Sequence, residues 1–157
     1  MKNLWGKELK FPEDIYYSPE LMWVKPESGN KLRLGISHIA VKAVKQLLYV
    51  TIKQGVGNHL NKGDLIGMVE TTKMVWEIIA PVSGVVVAVN GKVLSGNPTA
   101  LVNDSYGEGW LLDIEKTGQT DNELKELHWG GEQKTREWID EMVMANVPLA
   151  DESSDAG

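Results

Sequence analysis

Two apolar runs separated by a short polar step form the most regular pattern in the chain. The first run covers residues 65–69 and the second covers residues 74–80, and both are rich in β-branched residues. Runs of this length and composition predict strands, and the short step between them predicts a tight turn. Lys73 lies in that step. We therefore expect a β-hairpin with Lys73 at its tip, where a long amine side chain can project into solvent.

The chain up to residue 118 repeats this alternation of short apolar segments and turns. Period-two alternation over residues 31–36 predicts a half-buried strand. Turn signals rich in Gly, Asn and Asp recur along the same region. Further strand candidates lie at residues 15–17, 21–25, 47–53, 85–89 and 110–114. Short strands at such regular spacing predict an all-β sandwich or barrel.

Three helices are predicted, one within the β region and two after it. Apolar residues recur at helical spacing after Ser37, which is a suitable N-cap, and they predict a short helix to about residue 46. Asp121 is expected to cap a helix over residues 122–127, and a second helix is expected over residues 132–145.

These patterns divide the chain into four parts. We expect an N-terminal extension over residues 1–14 and a β domain over residues 15–118. A helical segment packed on that domain is expected over residues 119–147. The polar and acidic end predicts a disordered tail over residues 148–157.

Composition excludes several classes of protein. There are no cysteines, so the chain itself offers neither disulfides nor thiolate chemistry. The net charge of -6 is concentrated after Gln119, and the absence of a basic stripe argues against nucleic-acid binding. No metal-ligand spacing, nucleophile–base pair or phosphate loop indicates an enzyme. With no apolar signal peptide and no membrane-length apolar run, a cytoplasmic location is expected.

Two motifs around Lys73 resemble those of lipoyl- and biotin-carrying domains. In those domains a Glu-x-x-Lys turn is followed by an Ala-Pro-x-x-Gly turn, and here they are Glu70-Thr71-Thr72-Lys73 and Ala80-Pro81-Val82-Ser83-Gly84. Further markers narrow the resemblance to the H proteins of the glycine cleavage system. They are Trp23, Leu34-Gly35-Ile36-Ser37, the two C-terminal helices and Leu101-Val102-Asn103-Asp104-Ser105-Tyr106-Gly107-Glu108-Gly109-Trp110-Leu111. The likeness spans about residues 16–144.

The resemblance implies a fold and a function. The fold is mainly β, a barrel-sandwich hybrid in which two small sheets pack together with the helices outside. Lys73 would carry lipoic acid in an amide bond, in a non-catalytic and monomeric carrier protein. Its implied partners are a glycine decarboxylase, an aminomethyltransferase, dihydrolipoyl dehydrogenase and a lipoylating enzyme. The hard chemistry then belongs to the cofactor and these partners.

Two residues near Lys73 are candidates for roles in handling the lipoyl arm. Glu70 is a candidate recognition handle for the lipoylating enzyme, with a solvated turn carboxylate as the alternative. H proteins usually have small residues after the lysine, whereas here the residues are Met74-Val75-Trp76. We expect Trp76 to be exposed or to line a groove for the arm, and Val75 to face the core.

Three alternative functions remain open on the sequence. The first is an H-like lipoyl carrier for a heterodisulfide-reductase-like sulfur-oxidation system. Pro12-Glu13-Asp14 with Tyr16-Tyr17, and Met74 after the lysine, resemble the sequences of that group. The second is a biotin carrier, although Thr72 stands where the biotin pattern has a methionine. The third is an unmodified β domain that serves in protein interaction.

Overall fold

Antiparallel strands are the main regular structure of the computed structural model, which describes residues 11–37, 47–71, 75–91, 100–101 and 104–155. The strands are, in chain order, β1 (Tyr16–Tyr17), β2 (Met22–Pro26), β3 (Lys31–Ile36), β4 (Leu47–Ile52), β5 (His59–Leu60), β6 (Leu65–Thr71), β7 (Val75–Ile79), β8 (Gly84–Val89), β9 (Leu112–Glu115) and β10 (His128–Trp129). Helices α1 (Thr120–Leu124) and α2 (Gln133–Asp155) follow β9 and β10 respectively. The prediction of a mainly β chain is confirmed.

Two sheets share these strands. The large sheet has the order β10-β1-β2-β3-β9-β8-β5, and the small sheet has the order β4-β6-β7. Both sheets contribute to one buried cluster, because alternate side chains of each strand point to the same side. The large sheet supplies Val24, Leu34 and Ile114, for example, and the small sheet supplies Val69 and Ile78. The main core therefore lies between the two sheets.

A second buried cluster lies where α2 packs on the large sheet. It contains Phe11, Ile15, Tyr17, Trp23, Ile139 and Val143. Trp23 is fully buried, and its Nε1 donates a hydrogen bond to the carbonyl oxygen of Ser105 at 2.9 Å. Gly35 lies opposite Trp23 in the β2–β3 ladder, and a Cβ at this position would overlap the indole ring. Trp23, the motif that contains Gly35 and the segment that contains Ser105 thus contact one another at one packing site.

The described N-terminal residues are fixed to this second cluster. The Tyr17 hydroxyl donates a hydrogen bond to the carbonyl oxygen of Pro12 at 2.6 Å. Burial raises the pKa of Tyr17 well above its ordinary value, so the hydroxyl keeps the proton that it donates. Arg136 on α2 donates to the carbonyl oxygen of Phe11 at 2.8 Å. Residues 1–10 of the predicted N-terminal extension lie outside the described residues.

The predicted internal helix is not tested, and helix α1 starts two residues before the predicted residue 122. Most of the predicted internal helix, residues 38–46, lies outside the described residues. The buried Oγ of Ser37, the predicted N-cap, has no hydrogen-bond partner among the described residues. Helix α1 starts at Thr120, so Asp121 is inside it rather than at its cap, and Gln119 occupies the cap position without a side-chain capping bond. The hydroxyl of Thr120 instead donates to the carbonyl oxygen of Ser83 at 2.7 Å. Tertiary contact here replaces the local cap that the sequence predicted.

The end of the chain also differs from its prediction. Helix α2 continues to Asp155 rather than ending near residue 145, so residues 148–155 are helical where a disordered tail was predicted. The sequence gives no local reason for this extension, since Pro148 lacks the backbone N–H that an interior helical position uses. Neither α1 nor α2, as far as they are described, has an apolar stretch of the length that crossing a bilayer requires.

Candidate functional site

Strands β6 and β7 form the predicted hairpin. They pair in antiparallel register, with Glu70 opposite Val75 and Val69 opposite Trp76. The chain passes from one strand to the other through residues 72–74, which include Lys73 and lie outside the described residues. The two strands predicted from the apolar runs are confirmed, and β6 extends two residues beyond its predicted end at residue 69.

The inner face of the hairpin belongs to the main core. Val50, Val69 and Trp76 form one row across β4, β6 and β7. Val50 and Val69 are buried, whereas Trp76 is half-buried and packs against the edge of the main core. Trp76 therefore lies at the end of an apolar row, close in sequence to Lys73.

The opposite face of the same hairpin is turned away from the core. Its rows across β6 and β7 are Glu70–Val75, Met68–Glu77 and Leu65–Ile79. Val75 and Glu77 are exposed, and the other four residues are half-buried. We call these six residues the outer face.

Val75 corrects one expectation. The sequence predicted that it faces the core, but its side chain is 58 % exposed. The period of two along β7 explains this, because Trp76 and Ile78 point inward and leave Val75 and Glu77 outside. Glu77 was the signal in the sequence, because a polar residue there indicates that odd-numbered positions of β7 face solvent.

The two candidate residues flanking Lys73 are not brought together. Glu70 is half-buried on the outer face, and Trp76 is half-buried on the inner face. Adjacent rows of a sheet point to opposite sides, so a ligand that lies flat on one face of the hairpin would contact Glu70 or Trp76 but not both. Any roles of Glu70 and Trp76 are therefore separate ones.

The base of the hairpin is fixed by hydrogen bonds that the sequence did not predict. Ala80 N donates to the carbonyl oxygen of Asp64 at 2.8 Å, which ties the end of β7 to the start of β6. In the following turn, the backbone N–H and the hydroxyl of Ser83 donate to the two carboxylate oxygens of Glu123 on α1, at 2.7 and 2.8 Å. The hairpin thus projects from a base that is held on two sides.

Two charged side chains of the large sheet, those of Arg33 and Asp113, are paired with each other, whereas among the described residues those of the outer face are not. On the large sheet, the Arg33 guanidinium donates two hydrogen bonds to Asp113, at 2.8 and 3.1 Å, and lies 4.3 Å from the ring centroid of Trp110. The bond to Asp113 raises the pKa of Arg33 further above its ordinary value. By contrast, neither Glu70 nor Glu77 has an ion-pair partner in the described part of the chain.

Comparison with known proteins gives one consistent result. A family model described as glycine cleavage H-protein matches residues 15–141. A glycine cleavage system H protein of Corynebacterium jeikeium is 42 % identical over 109 residues, which cover 68 % of this chain and 84 % of the relative. The glycine cleavage system H protein of Mycolicibacterium smegmatis is 41 % identical over 105 residues, which cover 67 % of this chain and 79 % of that relative.

A solved structure extends the comparison to the fold. The crystal structure of a glycine cleavage system H protein from Mycobacterium marinum matches with a TM-score of 0.62 and 34 % identity. The match covers 68 % of this chain and 87 % of that protein. Together with the two packed sheets, this likeness confirms the predicted barrel-sandwich hybrid.

Proposed function

Because this chain belongs to the glycine cleavage H-protein family, we propose that it is the lipoyl carrier of a glycine cleavage system. In this proposal Lys73 is the attachment residue for lipoic acid. The observation that carries the proposal is the position of the Glu70-Thr71-Thr72-Lys73 motif at the connection between β6 and β7. In the sequence no other lysine has a glutamate three residues before it.

The described ends of the hairpin fit a modified lysine. Val75, two residues after Lys73, is 58 % exposed, so another protein can reach this end of the hairpin. The hydrogen bonds of Ala80 and Ser83 fix the other end, which keeps the attachment point in place while the arm moves. When bound, the lipoyl group supplies the dithiol–disulfide pair that receives the aminomethyl group of glycine, chemistry for which this chain has no cysteine of its own.

Glu70 and Trp76 have separate roles in the proposal. Glu70, on the outer face three residues before Lys73, is a recognition handle for the lipoylating enzyme. Trp76, half-buried at the end of the apolar inner row, offers ring surface along which the apolar arm packs. The chain itself is a non-catalytic subunit that presents the arm.

The partners in the proposal are a glycine decarboxylase, an aminomethyltransferase and dihydrolipoyl dehydrogenase. A tethered arm meets each partner's active site by a local search, so its effective concentration exceeds that of a free cofactor. The names of the relatives favour this system over the sulfur-oxidation carrier, the biotin carrier and the unmodified domain.

The proposal is tested by reconstituting glycine oxidation. The fully lipoylated protein is mixed with glycine decarboxylase, aminomethyltransferase, dihydrolipoyl dehydrogenase, tetrahydrofolate and NAD, and glycine-dependent NADH is followed. We expect turnover with the wild-type carrier and none with Lys73→Arg, because arginine cannot form the amide. Trp76→Ala is expected to lower turnover at equal lipoylation. A fully lipoylated wild-type carrier that supports no turnover would contradict the assignment to glycine cleavage.

A further inference from the structure

The outer face is a chemically distinctive surface that the carrier role does not by itself require. In its two rows nearest to residues 72–74, Glu70 is opposite Val75 and Met68 is opposite Glu77. Acidic and apolar side chains therefore alternate diagonally. Next to them, Leu65 and Ile79 are half-buried and add apolar surface. A solvated sheet face with no partner is expected to be mostly polar, and this one is mostly aliphatic.

The two carboxylates of the outer face are available to a partner. Glu77 is exposed and Glu70 is half-buried, and both lack an ion-pair partner within the described residues. The chain before Gln119 has a net charge of only +1, so this pair is a local acidic feature on a nearly neutral body. Its electrostatic complement is a surface that places cationic side chains beside an aliphatic centre.

We propose that the outer face is the docking surface for the enzyme that acylates Lys73, and that this enzyme presents arginine or lysine side chains around an aliphatic patch. The proposal rests on the proposed function, because it takes Lys73 as the site of modification. It extends that function from one recognition residue, Glu70, to a surface that includes Met68, Val75 and Glu77.

The position of the reacting atom indicates which partner enzyme must contact this surface. During acylation the Lys73 Nζ attacks the carbonyl carbon of an activated lipoyl donor, loses a proton and displaces the donor's leaving group. The enzyme must therefore bring its active site to the lysine nitrogen itself, and in the sequence Lys73 lies three residues after Glu70 and two before Val75. Enzymes that act on the dithiolane meet it at the far end of the arm and need not contact the hairpin.

The test measures acylation of the full-length apo protein by a lipoate ligase supplied with lipoate and ATP. Intact-mass time courses give kcat and KM for wild type, Glu77→Lys, Glu77→Gln and Val75→Ser. Matched controls are Glu137→Lys, an exposed glutamate on α2, and Val56→Ser, a valine that is 68 % exposed in the turn between β4 and β5. Melting temperatures establish that each variant is folded.

We expect Glu77→Lys to lower kcat/KM about tenfold, mainly through KM, because it replaces attraction by repulsion at the docking surface. Glu77→Gln and Val75→Ser are expected to give smaller losses in the same direction, and both controls should match wild type. Raising the salt concentration should weaken wild type more than Glu77→Lys.

The possible failures are distinguishable. If wild type is acylated at Lys73 and all outer-face variants stay within about twofold of it, the docking surface is wrong and the carrier role stands. If wild type accepts no lipoate at all, the proposed function fails and this inference fails with it. If Glu137→Lys is impaired as much as Glu77→Lys, overall charge rather than the outer face governs the encounter, and the inference is wrong.

Discussion

At the scale of single residues, the contact between Trp23 and Gly35 explains why two separated motifs occur in one chain. The buried indole occupies the space where a side chain at position 35 would lie, and its N–H is satisfied by Ser105. A buried tryptophan needs a partner for its N–H, and the 101–111 segment provides it. The sequence identified these motifs as markers, but only the fold explains why they are needed together.

Gly35→Ala is expected to lower the free energy of unfolding by about 1–3 kcal/mol, because the new methyl group overlaps a rigid, fully buried ring. Gly55→Ala is the matched control, since nothing lies within 4 Å of a Cβ at that position. Urea unfolding of both variants measures the difference. Equal stabilities would contradict the packing of Trp23 against Gly35.

At the scale of elements, strands with regular alternation were predicted well, whereas the short strands β5 and β10 and the start of α1 were not. The limits of β3 agree with the prediction, because Leu32, Leu34 and Ile36 alternate along one buried face of the strand. The two-residue strands β5 and β10 carry too little sequence for any period to be recognised. Helix α1 starts where Thr120 reaches Ser83, a contact 37 residues away in sequence that no local rule contains.

The attachment of α1 to the turn after β7 depends on Glu123. Glu123→Ala is expected to lower the free energy of unfolding by about 1–3 kcal/mol, because it leaves the backbone N–H and hydroxyl of Ser83 without their acceptor. Glu126→Ala serves as the control, since its ion pair with Lys62 is exposed and contributes little. Thermal unfolding compares the two, and an equal loss would show that Glu123 does not hold the turn.

At the scale of the whole molecule, the hairpin proposed to carry the attachment site and the second buried cluster belong to different sheets. The hairpin has its apolar inner face on the main core, while its outer face carries Val75 and Glu77 into solvent. The second cluster and α2 pack on the large sheet. The attachment site at Lys73 could be proposed from the sequence because its motif is local. The separation of Glu70 and Trp76 onto opposite faces needed the ladder register, which depends on pairing between strands.

The central claim is that Lys73 is the lipoyl attachment residue, and mass spectrometry tests it most directly. The full-length protein and Lys73→Arg are each co-expressed with a lipoate ligase, and intact mass is followed by peptide mapping. We predict one lipoyl adduct on the wild-type chain, located on Lys73, and none on the folded Lys73→Arg variant. A lipoyl adduct on another lysine, an adduct that persists in Lys73→Arg, or no adduct on the folded wild-type chain would contradict the account.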